Sequence, residues 1–166
     1  MMNHIIPKPK LLTGYTLHRM VAELAKGQHA LYCDNGDHLL VRTARPITPS
    51  PAPVVTPASG SVIAFHLKAC VADRKGGRNI YPEIGDWRAR RAWLEQQGGK
   101  CGFEVIAVHV DGGRQDVVAS NGRKFWIDAT RFAGVLKVID EEQFATALAR
   151  GVGRVGKAFG MGLLDI

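Results

Sequence analysis

The chain has 166 residues, of which 46% are hydrophobic, enough for one sizeable domain or two small domains packed together. Its formal net charge of +7 favours an acidic partner, of which nucleic acid is the commonest. The three cysteines and six histidines show no disulfide framework and no zinc-site spacing, so no metal or other cofactor is expected. No apolar run could cross a bilayer and no signal peptide is recognisable, so we expect a cytoplasmic protein.

A proline-rich segment divides the chain. Residues 46–60 hold five of the eight prolines and are predicted to form an extended connector that contributes no core element. The predicted domains are therefore an N-terminal part, residues 1–45, and a C-terminal part, residues 61–166.

The N-terminal part has the pattern of a strand, a helix and two further strands. The helix is predicted over 15–25, with Thr13 as its N-cap and with Leu17, Val21 and Leu24 on one apolar face. The dipeptide Asn35-Gly36 between two apolar runs indicates a β-hairpin. A strand before the helix is expected near residues 5–12, where two prolines would interrupt it.

The C-terminal part repeats this order more completely. The predicted elements are a strand at 62–71, a helix from Asp86 to Gln97 ended by Gly98-Gly99, strands at 103–110, 124–127 and 134–138, a helix capped by Asp140, and a last strand at 160–164. Strand-helix-strand-strand-helix-strand is the order of the ferredoxin-like fold, which is also the fold of the RNA recognition motif. We therefore predict an α+β protein of two tandem ferredoxin-like units, the first short or incomplete.

The C-terminal tail is rich in glycine. Residues 151–164 contain Gly151, Gly153, Gly156, Gly160 and Gly162, with Arg154 and Lys157 between them. Such a loop can bring backbone amides close to phosphates, and the two cations add charge. The order of elements is wrong for a P-loop and for a dinucleotide fingerprint. From the residues alone, phosphate contact and a tight turn without a ligand remain open alternatives.

The tail resembles the C-terminal loop of the CasE family, the CRISPR precursor-RNA endoribonucleases of type I-E systems. That family has a Gly-x-Gly-x-x-Lys-like loop followed by Gly-x-Gly-Leu-Leu, which is similar to 151–157 and 160–164 here. The segments Phe132–Leu136 and Trp93-Leu94 resemble a strand and a helix of the family, and Tyr15-x-x-His18 resembles the opening of its first helix. This chain is shorter than is usual there, and its first unit lacks an obvious second helix.

The resemblance implies that His18 is catalytic, with Tyr15 beside it. Residues three apart on a helix share a face. From the residues alone an ordinary surface histidine is the favoured interpretation of His18, and the resemblance of the tail reverses this. The implied reaction is a transesterification in which a ribose 2′-OH attacks the adjacent phosphorus, with histidine moving the proton. No metal is required because the substrate supplies the nucleophile. A cation would offset charge on the phosphoryl oxygens, and Lys157, Arg154 and Lys26 remain candidates.

Three further basic groups would suit an RNA stem. The turn that carries Arg123 and Lys124 is placed like a basic hairpin of the family that enters the groove of a repeat stem-loop. Arg88 and Arg91 share one helix face, and a third group lies in the loop 74–78. Each group alone could be a solvated surface. Only the three groups taken together, with their excess of positive charge, indicate a surface that binds the phosphates of RNA.

These observations favour a site-specific endoribonuclease that cuts the repeat RNA of a CRISPR transcript into mature guide RNA. The resemblance implies as partners a repeat stem-loop and the other subunits of a guide-RNA surveillance complex. A catalytically inactive RNA-binding subunit of a ribonucleoprotein is the alternative, and a small phosphate-ligand protein is a more distant one.

Overall fold

The computed structural model describes residues 1–10, 12 and 14–166. The predicted N-cap Thr13 and part of the predicted strand 5–12 lie outside the described residues. The helices and strands are β1 (Met2–Pro7), α1 (Tyr15–Ala25), β2 (Ala30–Asp34), β3 (His38–Thr43), β4 (Ala52–Pro53), β5 (Val62–Ala69), β6 (Asp73–Lys75), β7 (Arg78–Ile80), α2 (Trp87–Cys101), β8 (Phe103–Asp111), β9 (Arg114–Val118), β10 (Lys124–Asp128), β11 (Thr130–Val138), α3 (Glu141–Arg150), a 3-10 turn (Lys157–Phe159) and β12 (Leu164–Asp165). None of the described helices is long and apolar enough to span a membrane.

The first sheet is antiparallel and has the strand order β2-β3-β1-β4. This is the order of a ferredoxin-like sheet, and no helix lies between β3 and β4, whose intervening residues are all described. The strand β1 begins earlier than expected, at Met2, and ends at Pro7, shortly before the second proline of the segment, Pro9. The predicted incomplete unit is therefore present, with β4 as a two-residue edge strand.

The edge strand β4 lies inside the segment predicted as a pure connector. Ala52 and Pro53 pair with Asn3 and Met2, and Val54 packs against the core of the second unit. The prediction that this segment contributes no core element is therefore wrong, because its extended prolines fit a sheet edge. The domain boundaries at residues 45 and 61 remain a proposal.

Helix α1 packs on the first sheet by a face slightly different from the predicted one. Leu17, Val21 and Ala25 are buried, whereas Leu24 is 37% exposed. Residues four apart advance only slightly around a helix, so 17, 21 and 25 form the buried stripe and Leu24 falls at its edge.

The second sheet has the strand order β12-β5-β11-β8 and is also antiparallel. Its core residues include Phe65 and Leu67 of β5, which pack with residues of α2 and α3. Between them on the strand, His66 is exposed, as expected for side chains that alternate between the two faces. The predicted α+β fold of two tandem ferredoxin-like units is confirmed.

The predicted end of helix α2 is wrong. The helix runs through Gly98-Gly99 to Cys101 and closes at Gly102, whose φ is 73°. Gly98 is not a helix terminator but a packing position, since a Cβ there would lie 2.5 Å from the carbonyl oxygen of Phe103. The last strand is likewise shorter than predicted.

Two hairpins extend from the second unit. In sequence, the hairpin β9–β10 lies between β8 and β11, and the hairpin β6–β7 lies between β5 and α2. Neither β9 nor the short strands β6 and β7 were predicted from the sequence. In β6 and β7 every residue is exposed, so no apolar alternation marks them.

Candidate active site and nucleic-acid interface

Tyr15 and His18 form a contact pair on the first turn of α1. Their ring centroids lie 5.5 Å apart at an interplanar angle of 44°, and both side chains are half-buried. The helix starts after Gly14, whose φ of 56° turns the chain sharply. Because the N-cap position is a glycine, the first turn of the helix has no side-chain cap. Because Leu17 faces the core, the pair occupies a different face of the helix and stays accessible.

The start of α1 meets two of the other predicted segments. The helix lies beside the 3-10 turn of the glycine-rich tail. A Cβ on Gly14 would lie 3.7 Å from the backbone nitrogen of Val118, at the end of β9. The fold therefore brings helix α1 next to the glycine-rich tail and Gly14, the residue before Tyr15, next to the basic hairpin, although these segments are far apart in sequence.

The glycine-rich tail is a tightly packed loop. All five glycines have positive φ values: Gly151, Gly153, Gly156, Gly160 and Gly162. The loop closes on itself, since the amide of Val152 donates to the carbonyl of Gly162 at 2.8 Å. Gly160 is buried against Tyr32, and a Cβ there would lie 2.9 Å from the ring. Packing and backbone conformation therefore account for glycine at these positions.

The middle of this loop is open to a ligand. Among the described residues, no backbone carbonyl accepts a hydrogen bond from the amide of Gly153 or of Arg154. Arg154 is exposed, whereas Lys157 is half-buried and its Nζ donates to the carbonyl of Arg150 at 2.6 Å. Burial lowers the pKa of Lys157. Of the two predicted loop cations, Arg154 is thus free to meet an anion, and Lys157 already caps the end of α3.

Substitution of the packed glycines tests this account of the loop. Gly162→Ala would combine a φ of 92° with a Cβ 2.8 Å from the carbonyl oxygen of Val152. We expect it to lower the free energy of unfolding by about 3 kcal/mol. Gly60 is the matched control, since its φ is 88° and nothing lies within 4 Å of its Cβ position. Gly60→Ala should cost only about 1 kcal/mol in urea titrations, and equal losses would contradict the packing role.

The β9–β10 hairpin presents a basic turn. Arg123 and Lys124 are exposed there, and the side chain of Asn121 accepts from the Arg123 amide at 3.1 Å. On its other side the hairpin packs against the glycine-rich tail, where Phe125 and Phe159 make an edge-to-face contact with centroids 5.8 Å apart. The basic turn is therefore held in a fixed place relative to the tail.

A buried ion pair fixes the base of this hairpin. Arg90 of α2 and Asp128 at the end of β10 are each 2% exposed, and their Nη2 and Oδ2 atoms lie 2.6 Å apart. Arg90 also donates to Thr130 Oγ1 at 3.0 Å and to the carbonyl of Glu83 at 2.7 Å. Gly112 is required beside it, because a Cβ would lie 2.4 Å from Arg90 Nε. Arg90 therefore points into the protein, away from the exposed Arg88 and Arg91 of the same helix.

Arg88 and Arg91 are exposed on helix α2. Arg91 pairs with Glu95 at 2.9 Å, and the guanidinium of Arg88 lies 4.6 Å from the ring centroid of Trp87. Helix α2 packs mainly against β8 and α3, whereas α1, which carries Tyr15 and His18, packs against the 3-10 turn and β2.

One cationic group was missed in the sequence. The guanidinium of Arg114 lies 4.1 Å from the ring centroid of Trp126, and this ring lies 5.1 Å from that of Tyr81. Trp126 lies in the strand predicted at 124–127, but no motif singled it out. Its contact with Tyr81 could not have been found, because nothing in the sequence places the two hairpins side by side.

No ligand set for a metal is found among residues 1–10, 12 and 14–166, since no three His, Cys, Asp or Glu side chains converge there.

Comparison with known proteins gives consistent matches. The family described as "CRISPR associated protein" matches residues 40–166. A curated relative, the CRISPR-associated endoribonuclease Cse3 of Thermus thermophilus, is 28% identical over 119 residues. That alignment covers 64% of this chain and 56% of the relative, so the chain spans a little over half of the relative's length.

Two solved structures share the fold over almost the whole chain. Cse3 of Thermus thermophilus bound to an RNA representing a pre-cleavage complex has a TM-score of 0.81 at 22% identity, covering 99% of this chain and 97% of that one. A chain of a CRISPR RNA-guided surveillance complex has a TM-score of 0.76 at 22% identity, covering 99% and 98%. Because the family match spans more than half of the chain, the protein belongs to this family of CRISPR-associated proteins, and the resemblance of its motifs to CasE is confirmed.

Proposed function

We propose that this protein is a site-specific, metal-independent endoribonuclease that binds a CRISPR repeat stem-loop and cuts it to make mature guide RNA. One observation carries the proposal: Tyr15 and His18 are in contact on the first turn of α1, a helix that contacts the glycine-rich tail and starts beside the basic hairpin. A stem held by the hairpin would therefore present its backbone to a histidine. The Cse3 relative is an endoribonuclease, which supports the same activity here.

The chemistry follows from groups that the fold provides. His18 takes the proton of a ribose 2′-OH, whose oxygen bonds to the adjacent phosphorus while the bond from that phosphorus to the 5′-oxygen of the next nucleotide breaks. The departing 5′-oxygen takes a proton from water. The products are a 2′,3′-cyclic phosphate and a 5′-hydroxyl. Tyr15 is within reach to orient the imidazole or donate to the phosphate. The substrate supplies its own nucleophile, so the step requires no metal-bound water.

Binding would use the exposed cations and the open part of the loop. Arg123 and Lys124 of the hairpin would contact stem phosphates, and Arg154 with the amides of Gly153 and Gly156 would contact the strand near the cut. Arg88 and Arg91 would extend the footprint along α2. Gly151, Gly160, Gly162 and Lys157 would act by shaping the loop.

The proposal includes partners and place. The solved surveillance complex contains a chain of the same fold, so we propose that this protein keeps its product and joins a complex of that kind. We also propose that it acts in the cytoplasm.

The alternative is a binding subunit without catalysis. It is favoured by the position of Lys157, whose ammonium is half-buried and already donates one hydrogen bond to the carbonyl of Arg150. A direct test is incubation of a labelled repeat stem-loop with the protein in EDTA. Cutting at one position supports the enzyme, while tight binding with no cutting would support the alternative.

The salt dependence of binding tests the role of the hairpin. We expect Arg123→Ala to reduce the slope of log affinity against log salt concentration by about one unit, since one phosphate contact is lost. Lys100→Ala is the control, because Lys100 is exposed and lies about 15 Å along helix α2 from the hairpin's anchor, Arg90. Filter-binding titrations at several salt concentrations measure both slopes. An unchanged slope for Arg123→Ala would remove the hairpin turn from the interface.

A further inference from the structure

A second basic site lies at the junction of the two sheets. A cavity of about 460 Å³ is lined by four basic side chains, those of His29, Arg42, Arg150 and Lys157. None of its lining residues is Asp or Glu. It is formed by the end of β3, the end of α3 and the 3-10 turn, and it contains neither Tyr15 nor His18.

The buried residue of this cavity has an unused donor. Arg42 is 2% exposed, its Nε donates to Asn3 Oδ1 at 2.8 Å, and its Nη1 donates to the carbonyls of Leu164 at 2.8 Å and Leu148 at 3.3 Å. Its Nη2 is buried without a hydrogen-bond partner among the described residues. Burial lowers the pKa of Arg42, and Asp165 opposes this only through its charge. A buried guanidinium nitrogen without an acceptor is costly, so an acceptor is expected from outside the chain.

The neighbouring cations suit a multiply charged oxyanion. Lys157 uses one of its three ammonium hydrogens on the carbonyl of Arg150, which leaves two for a ligand. Arg150 is exposed at the rim, where its guanidinium can form two parallel bonds to oxygens of one group. Arg150 and Lys157 add two positive charges beside that of Arg42, and an anion bound between them would offset their mutual repulsion.

We propose that this cavity binds a phosphate group, with Arg42 Nη2 as its buried donor and Arg150 and Lys157 as its outer cations. The phosphate is either free in solution or part of the RNA backbone away from the cut, and the second source rests on the proposed function. In both cases ligand binding would be coupled to the contact between the two sheets, because Nη1 of Arg42 donates to backbone carbonyls of α3 and β12.

The first experiment uses inorganic phosphate and no RNA. At constant ionic strength set with chloride, increasing phosphate should raise the unfolding temperature of the full-length protein saturably. Arg150→Ala should weaken this response at least about fivefold, a difference of roughly 1 kcal/mol in binding. Arg131→Ala, which removes an exposed arginine from a different cavity, should leave it unchanged. Arg42→Met should abolish it, and should that variant not fold, Arg150→Ala decides alone.

The second experiment identifies the source of the phosphate. An RNA phosphate in the cavity predicts that inorganic phosphate competes with the stem-loop and that Arg150→Ala lowers the salt slope of RNA binding by about one unit. A free phosphate predicts unchanged RNA affinity and slope in Arg150→Ala. Both results support the site. A wild-type response to phosphate no greater than that to chloride, or an equal response in Arg150→Ala, would overturn it, whether or not the protein cuts RNA.

Discussion

We expect His18→Ala to cut a repeat stem-loop about 10²- to 10⁴-fold more slowly than the wild type, the usual contribution of a positioned acid or base. Binding of the uncut RNA should stay within about twofold of the wild type, since the imidazole acts on a proton and the phosphate contacts come from other residues. Single-turnover rates with excess protein, together with the affinity of a non-cleavable RNA, separate the two effects.

Two variants control for this loss. His38→Ala removes another histidine, which pairs with Asp37 in the β2–β3 turn, and it should leave the rate unchanged. Tyr15→Phe keeps the ring contact with His18 and removes only the hydroxyl, so it should slow cutting less than His18→Ala. A His18→Ala protein that cuts at the wild-type rate would exclude His18 as the catalytic residue.

The largest loss of stability is expected from Arg90→Met. Removing this guanidinium leaves the carboxylate of Asp128 buried and without its cationic partner, and it also removes a donor from Thr130. Breaking a buried ion pair from one side typically costs about 3–5 kcal/mol. Urea titration of the RNA-free protein should show this decrease in the free energy of unfolding.

The neighbouring residue on the same helix provides a matched control. Arg91 also pairs with a carboxylate, that of Glu95, but its side chain is 44% exposed. Arg91→Met should therefore change the free energy of unfolding by only about 0.5 kcal/mol. If Arg90→Met were equally mild, the ion pair would not anchor the β9–β10 hairpin as the buried contacts indicate.

Much of the fold could be predicted because local signals and the global order agree. Asp86 and Asp140 cap their helices as predicted, each accepting from a backbone amide three residues on at 2.9 Å. The order of strands and helices in residues 61–166 then allows few topologies, and the ferredoxin-like one is observed. The family motifs agree with this order, so the α+β prediction rested on two independent kinds of signal.

Other parts could not be predicted because they depend on contacts between distant segments. Gly98 reads as a helix end from propensity, but its tight packing against Phe103 keeps it helical. The strand β4 was read as connector, because prolines are typical both of connectors and of sheet edges. Only its pairing with β1 shows that this segment is an edge strand and not a connector.

The candidate site shows the same division. Spacing on one helix was enough to predict that Tyr15 and His18 share a face, and the structure places their rings in contact. The sequence could not show that Lys157 donates to Arg150, since a loop lysine reads as solvent-exposed until its neighbours are known. For the same reason, Arg42 gave no signal, because its partners come from α3 and β12.

The central claim is that the substrate's own 2′-OH is the nucleophile and that His18 moves its proton. The most direct measurement is cutting, in EDTA, of a repeat stem-loop that carries a single 2′-deoxy nucleotide at the cut position. We expect the all-ribose RNA to give one product with a 2′,3′-cyclic phosphate and the deoxy substrate to stay intact although it binds equally well. Cutting of the deoxy substrate at the same position, or cutting only after metal is added, would contradict the account.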